Sequence, residues 1–311
     1  MSGDDQRFRI LLCIDGSEES HRGLRYAVRV GKGNDADITL LYVRRSDPTL
    51  SSGGMDLRIV RENVIDWGLD LPGAAALQDA HQQLIEMGFM NEHWKSKAVH
   101  KEAFGDPVGD NMQIYTSETG AQITLKNMVS PSVARGILDE CELNEYELTI
   151  IAMADEETAG RQHINWDVTR TVVMNHTGTI LVARGIEENH GHLICVTDDE
   201  KSIEAAARDA VMASRCECPV HLYSVAANED GIEAAGDVIR QAREAIEAEN
   251  VEIVDEAIEV GDPIERIIER GKNYSVIVMA DSHVRGLRRF FEVSVAYRVL
   301  QHAHNSVMII R

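Results

Sequence analysis

Lysine is scarce in this chain of 311 residues, and aromatic residues make up only 5% of it. No apolar run approaches the roughly 18–20 residues that cross a bilayer as a helix. The opening Met1-Ser-Gly-Asp-Asp-Gln-Arg7 lacks the apolar core of a secretory signal. A cytoplasmic protein without membrane contact is therefore expected. Positive charge is also in short supply: 31 Lys and Arg face 52 Asp and Glu, a net charge of −21. Such a surface repels phosphate backbones and anionic lipid, so nucleic acid is not an expected partner. The five cysteines include no C-x-x-C pair. Cys13 and Cys195 fall in apolar runs, where a thiol packs as a small hydrophobe. Cys216 and Cys218 are too close together for a redox or zinc pair. Inert thiols in a reducing compartment are the expectation. No Ser-His-Asp, paired-carboxylate or Cys-His order can be assembled from spacing, so a non-enzymatic role is expected. The H-x-H pairs His190/His192 and His302/His304 have no further ligands at metal-site spacing and read as solvated or capping histidines.

What is present is an internal repeat, with hydrophobic residues at 44%. Arg9-Ile-Leu-Leu-Cys-Ile-Asp-Gly-Ser-Glu-Glu-Ser20 lines up with Gly191-His-Leu-Ile-Cys-Val-Thr-Asp-Asp-Glu-Lys-Ser202. Each is an apolar run, a polar turn and then a helical pattern. The separation from Asp15 to Val43 equals that from Thr197 to Val225, so a whole strand–helix–strand unit matches without a gap. The ends match too: Trp166-Asp-Val-Thr-Arg-Thr-Val-Val pairs with Val293-Ser-Val-Ala-Tyr-Arg-Val-Leu. The first copy is longer internally, mostly between Arg45 and Gln122.

Strand-length runs such as Leu148-Thr-Ile-Ile-Ala-Met153 and Ser275-Val-Ile-Val-Met-Ala280 are apolar on both faces, as a parallel sheet covered by helices requires. The pattern predicts two tandem α/β domains, each a doubly wound five-stranded parallel sheet. They are expected at 1–185 and 190–311, joined by the short polar segment 185–191. An amphipathic helix over Ala74–Met87 precedes an insertion near 88–122. That insertion carries Phe89, Met90, Trp94 and Phe104, which suit a partner surface or a fold-back over the domain's own core.

The second copy resembles the universal stress protein family along nearly its whole length. The residues that carry this are the opening strand with its polar turn, Gly261-Asp262-Pro263 before a helix, Val276-Ile-Val-Met279, and Ser294-Val-Ala-Tyr-Arg-Val-Leu-Gln-His-Ala-His304. The first copy adds Ile14-Asp15-Gly16-Ser17-Glu-Glu-Ser20. The resemblance implies an adenine-nucleotide α-hydrolase-like fold. It also implies closing strands that pair edge to edge, here Ile180-Leu-Val-Ala183 and Val307-Met-Ile-Ile310. The two copies would then form an intramolecular pseudo-dimer, with or without a further homodimer.

Nucleotide-binding members of that family read adenine with an acidic residue after the first strand. They hold phosphates with G-x-x-G-x(9)-G-[S/T], because glycines let backbone N–H groups reach phosphate at a helix start. In the second copy the corresponding positions are Thr197 and Ala280-Asp-Ser-His283, then Val293-Ser294, with all three glycines gone. The first copy keeps Asp15 but has Ala154-Asp155-Glu156-Glu157 and Trp166-Asp167, where carboxylates would repel phosphate and Trp166 would fill the space. The candidate nucleotide- or anion-binding residues are therefore Asp15, Thr197, Ala280, His283, Arg285 and Ser294. Ser52-Gly-Gly-Met-Asp56 imitates a phosphate loop of ATP pyrophosphatases, but it follows the wrong strand and reads as a surface loop. The expected function is a non-enzymatic stress-response or partner-binding protein with degenerate nucleotide sites, no cofactor and an unidentified protein partner. The alternative is a switch or weak ATPase that binds ATP or AMP.

Overall fold

The computed structural model describes residues 7–46, 73–104, 106–153, 164–185, 190–281 and 294–311. Ser52–Asp56, Asp155–Glu157, His283 and Arg285 lie outside the described residues. The chain divides into two compact units, residues 1–31 with 35–176 and residues 32–34 with 177–311.

The first unit runs β1 (Arg9–Cys13), α1 (Glu18–Asn34), β2 (Asp37–Arg45), α2 (Ala74–Glu86), β3 (Lys95–Ala103), β4 (Asp106–Thr116), β5 (Gln122–Ser130), α3 (Val133–Leu143), β6 (Leu148–Ala152) and α4 (Trp166–Asn175). Its strands lie in the order β6-β1-β2-β5-β4-β3. Strands β6, β1, β2 and β5 are parallel. Their side chains Leu11, Leu12, Leu40 and Ile150 are fully buried, which is why these strands read as unbroken apolar runs. Helix α1 starts at Ser17, whose side chain accepts from the Ser20 N–H, and Glu18 and Glu19 favour the positive end of the helix dipole.

The insertion extends the edge of the sheet. It forms the antiparallel hairpin β3–β4, which adds two strands beyond β5. A buried bidentate ion pair fastens it. The Arg44 guanidinium on β2 donates from Nη1 and Nη2 to Asp106 at 2.7 and 2.8 Å. Asp110 adds a second tie, accepting from the Val129 N–H at 2.7 Å. From α2, His81 stacks on Tyr115 with ring centroids 4.6 Å apart.

The second unit runs β7 (Ile180–Ala183), β8 (His192–Cys195), α5 (Glu200–Arg215), β9 (Val220–Ala226), α6 (Ile232–Ala248), β10 (Asp255–Val260), α7 (Pro263–Gly271), β11 (Val276–Ala280), α8 (Val295–His302) and β12 (Ser306–Ile310). The strand order is β10-β9-β8-β11-β12-β7, parallel from β10 to β12. Strand β7 lies antiparallel to β12, with Val182 opposite Val307 and Ile180 opposite Ile309. Just past β7, the Ser306 hydroxyl donates to the Arg184 carbonyl at 2.8 Å, and the Arg184 guanidinium donates to the Leu300 and Ala303 carbonyls. The Gly261-Asp262-Pro263 signal is a helix start: Asp262 accepts from the Glu265 N–H at 3.0 Å and Pro263 begins α7, where its missing N–H costs nothing.

Candidate functional site

In the second unit the chain leaves β8 toward β9 on one side and reaches β11 on the other. Loops beyond the carboxyl ends of two such strands diverge, and a crevice opens between them. A cavity of about 600 Å³ occupies this place. Cys195, Val196 and Thr197 at the end of β8 form one wall, Met279, Ala280 and Asp281 stand at the end of β11, and Ala234, Ala235 and Val238 come from α6. Most of the lining is apolar, with Thr197, Ser202, Ser224 and Ser294 as neutral polar points and Asp198 and Asp281 as carboxylates. Volume and lining both fall in the range of small-molecule sites.

Three of the sequence-derived candidates meet here. Thr197, Ala280 and Ser294 all line the cavity. Ser294 is the N-cap of α8, and its Oγ accepts from the Tyr297 N–H at 3.1 Å. The first N–H groups of α8 have no partner within the helix, so the start of α8 favours a partial negative charge. Asp281 opposes that at the rim, but its carboxylate accepts from the Arg311 Nε–H at 2.8 Å. Tyr223, on the inner wall, has its pKa raised by burial and then by the charge of Glu259, so it stays protonated through the physiological range. Among the described lining residues there is no His, Lys or Arg.

Among the described residues the equivalent place in the first unit is nearly closed. Only about 10 Å³ remains among Cys13, Ile14, Asp15, Tyr42, Ile137 and Ile164. Among the described residues Asp15 faces no open site, and its carboxylate accepts hydrogen bonds from within the unit. Its Oδ1 accepts from the Ser17 N–H at 3.0 Å and from the hydroxyls of Ser17 and Ser20 at 2.6 and 2.5 Å. Its Oδ2 accepts from the Ile164 N–H at 2.6 Å. Gly16 makes this turn with φ at 82°, a conformation that costs other residues energy. The repeat shows through at atomic level. The Asp15 N–H donates to Ser20 Oγ, and the Thr197 N–H donates to Ser202 Oγ, both at 3.0 Å. Thr197 has no carboxylate with which to close its own site, and it stays exposed.

Two expectations are corrected. Asp167 is not the counterpart of Ser294. Helix α4 begins earlier than the repeat alignment places it, and Asn165 is its cap, accepting from the Val168 N–H at 3.1 Å. Trp166 therefore belongs to the first turn of α4, and Ile164 lines the closed site in its place. His192 is not a solvated histidine. It is 2% exposed, and its Nδ1 lies 2.9 Å from an oxygen of the buried Asp209. Among the described residues no three His, Cys, Asp or Glu side chains converge as a metal site, and no helix is long and apolar enough to cross a membrane.

Two solved structures match nearly end to end. A universal stress protein from Archaeoglobus fulgidus is 16% identical, with 97% of this chain and 98% of that one covered at a TM-score of 0.63. A functionally unknown protein from Pseudomonas aeruginosa is 14% identical, with 97% and 92% covered at 0.59. No curated protein sequence matches the chain significantly. The universal stress protein family model matches twice, over residues 7–184 and 191–311, and the chain belongs to that family as a tandem member.

Proposed function

We propose that this tandem universal stress protein is a non-enzymatic small-molecule receptor in which the second unit binds and the first is closed. The observation that carries this reading is the contrast between about 600 Å³ at the second switch point and about 10 Å³ at the first. The ligand class is a nucleoside or nucleoside monophosphate. Apolar walls suit a flat base, Thr197 and Ser294 stand where the family motif reads base and phosphate, and the helix start tolerates one compact anion. A triphosphate fits poorly, because the motif glycines are missing, Asp198 stands exposed at the rim and the whole chain carries −21. Of the two described lining carboxylates, Asp281 is engaged by Arg311, which supports a binding role over hydrolysis. In this reading ligand occupancy is what the stress response senses.

Titration calorimetry with adenosine, AMP and ATP tests the proposal. Adenosine or AMP is expected to bind with a Kd of about 10 μM, near −7 kcal/mol, and ATP roughly tenfold more weakly. Ala234→Trp, at an exposed position of α6 on the cavity wall, should abolish the heat while leaving the fold intact. No binding of adenosine or AMP at millimolar concentration, or tightest binding by ATP, rejects the reading.

A further inference from the structure

Two strands are edges. Strand β3 ends the first unit and β10 the second, and among the described residues each is paired along one side only. The open side of an edge strand presents backbone N–H and C=O groups that another strand can bond. Strand β3 is basic. Lys95, Lys97 and Lys101 are three of the chain's seven lysines, and residues 93–101 include no Asp or Glu. All three lysines are exposed, and among the described residues none is in an ion pair. Side chains alternate along a strand, so the three share one face of β3 with Val99.

Strand β10 has the opposite charge. Residues 244–260, which end α6 and run through β10, carry seven acidic side chains and no Lys or Arg. Glu252 and Asp255 are exposed where the chain enters the strand, with the exposed Val254 between them. Asp255 and Glu259 share one face of β10. Arg270 reaches both, at 3.3 and 3.2 Å, and Arg243 pairs with Glu256, which sets two cations against seven carboxylates. Lysines along an edge keep other strands away. Against an acidic edge the same charges attract, so they select a partner as well as excluding the rest.

We propose that copies of this chain associate head to tail, the β3 edge of one copy adding to the β10 edge of the next. The occupant of the β3 edge is a second copy, through Asp255–Val260. Backbone hydrogen bonds between the two edges supply the contact, and the lysines of β3 against the acids of β10 supply its selectivity. The two patches differ, so the contact is heterologous, and each bound copy still offers one edge of each kind. Growth therefore continues past a pair. The net charge of −21 on each copy opposes the approach, which keeps the contact weak and dependent on concentration.

Sedimentation velocity of the intact chain from about 1 to 300 μM brackets a micromolar Kd, and the average sedimentation coefficient should rise past that of a dimer. Hydrogen exchange compared at the two ends of this range should show protection gained in residues 95–101 and 255–260. Charge reversal tests the pairing. Lys95→Glu with Lys97→Glu places acids on both edges, and Glu252→Lys with Asp255→Lys places lysines on both. All four positions are exposed, so the circular dichroism spectrum should not change. Each double variant alone should self-associate at least about tenfold more weakly than wild type, and an equimolar mixture of the two should recover the association. A chain that stays monomeric across the range overturns the proposal, as does association that either variant retains or that the mixture fails to recover. Protection of 95–101 by an added peptide of alternating Glu and Val, with the chain monomeric throughout, would make a foreign acidic segment the occupant and overturn the second copy.

Discussion

His192→Ala is expected to lower the unfolding free energy by about 3–5 kcal/mol, because it strands the carboxylate of Asp209 in the interior. Urea denaturation followed by circular dichroism measures this. Both partners are essentially shielded from water, with side chains 2% and 0% exposed. Burial alone would discourage the charged ring, but the charge and hydrogen bond of Asp209, with help from Cys218, outweigh it and raise the His192 pKa to about 10. A proton held more tightly in the folded chain adds stability. That contribution is complete below the unfolded histidine value of about 6.5 and shrinks as pH rises, until it is gone near 10. The double variant His192→Leu with Asp209→Leu removes both charges and should recover most of the loss, since well-packed apolar pairs replace buried ion pairs with little cost. The stability difference between wild type and the double variant should then move in favour of the double variant between pH 6.5 and 10. A single variant within about 1 kcal/mol of wild type would show that the pair is not buried as described.

Asp106→Ala is expected to cost the first unit a comparable amount, about 3–5 kcal/mol, and to free the hairpin β3–β4 before the rest unfolds. Arg44 sits on a central strand with a 9% exposed side chain, and Asp106 at 1% supplies both of its bidentate contacts. Removing the carboxylate leaves a guanidinium that cannot lose its proton and has little water to turn to. Hydrogen exchange read by mass spectrometry should show residues 95–116 losing protection first, while β1, β2 and β6 keep theirs. Arg44→Met with Asp106→Leu should restore part of the protection. If the single variant loosened the whole first unit uniformly, the hairpin would be an integral part of its core and not an appendage that depends mainly on this ion pair.

The parallel strands and the repeat were legible because both faces of those strands are covered, so Leu148–Ala152 and Val276–Ala280 carry no polar alternation. The hairpin was not. Lys95-Ser-Lys-Ala-Val-His-Lys-Glu-Ala103 is mostly exposed, and a strand with little buried face carries little hydrophobic period. Thr197, Ala280 and Ser294 could be found from sequence because each follows or precedes a regular element at a fixed place in the repeat. The closure of the first site could not. It depends on the Ile164 N–H reaching Asp15 from 149 positions away, a contact that no local pattern encodes. His192 and Asp209 come from a strand and a helix. Their spacing matches no motif, and only the packing of α5 on β8 brings them together.

The register of β7 against β12 also sets a clock. Val182 and its partner Val307 are about 125 residues apart in the chain, and a ribosome adding 5–20 residues per second needs roughly 6–25 s to cover that distance. For that interval Ile180-Leu-Val-Ala183 has emerged while the strand it will pair with does not yet exist. The segment is short, uncharged and β-prone, the kind of edge that recruits other chains. Messages that stall or break between the codons for these two strands would yield fragments that keep this edge open. Such incomplete chains, more than the finished protein, are where a cell would need its chaperones.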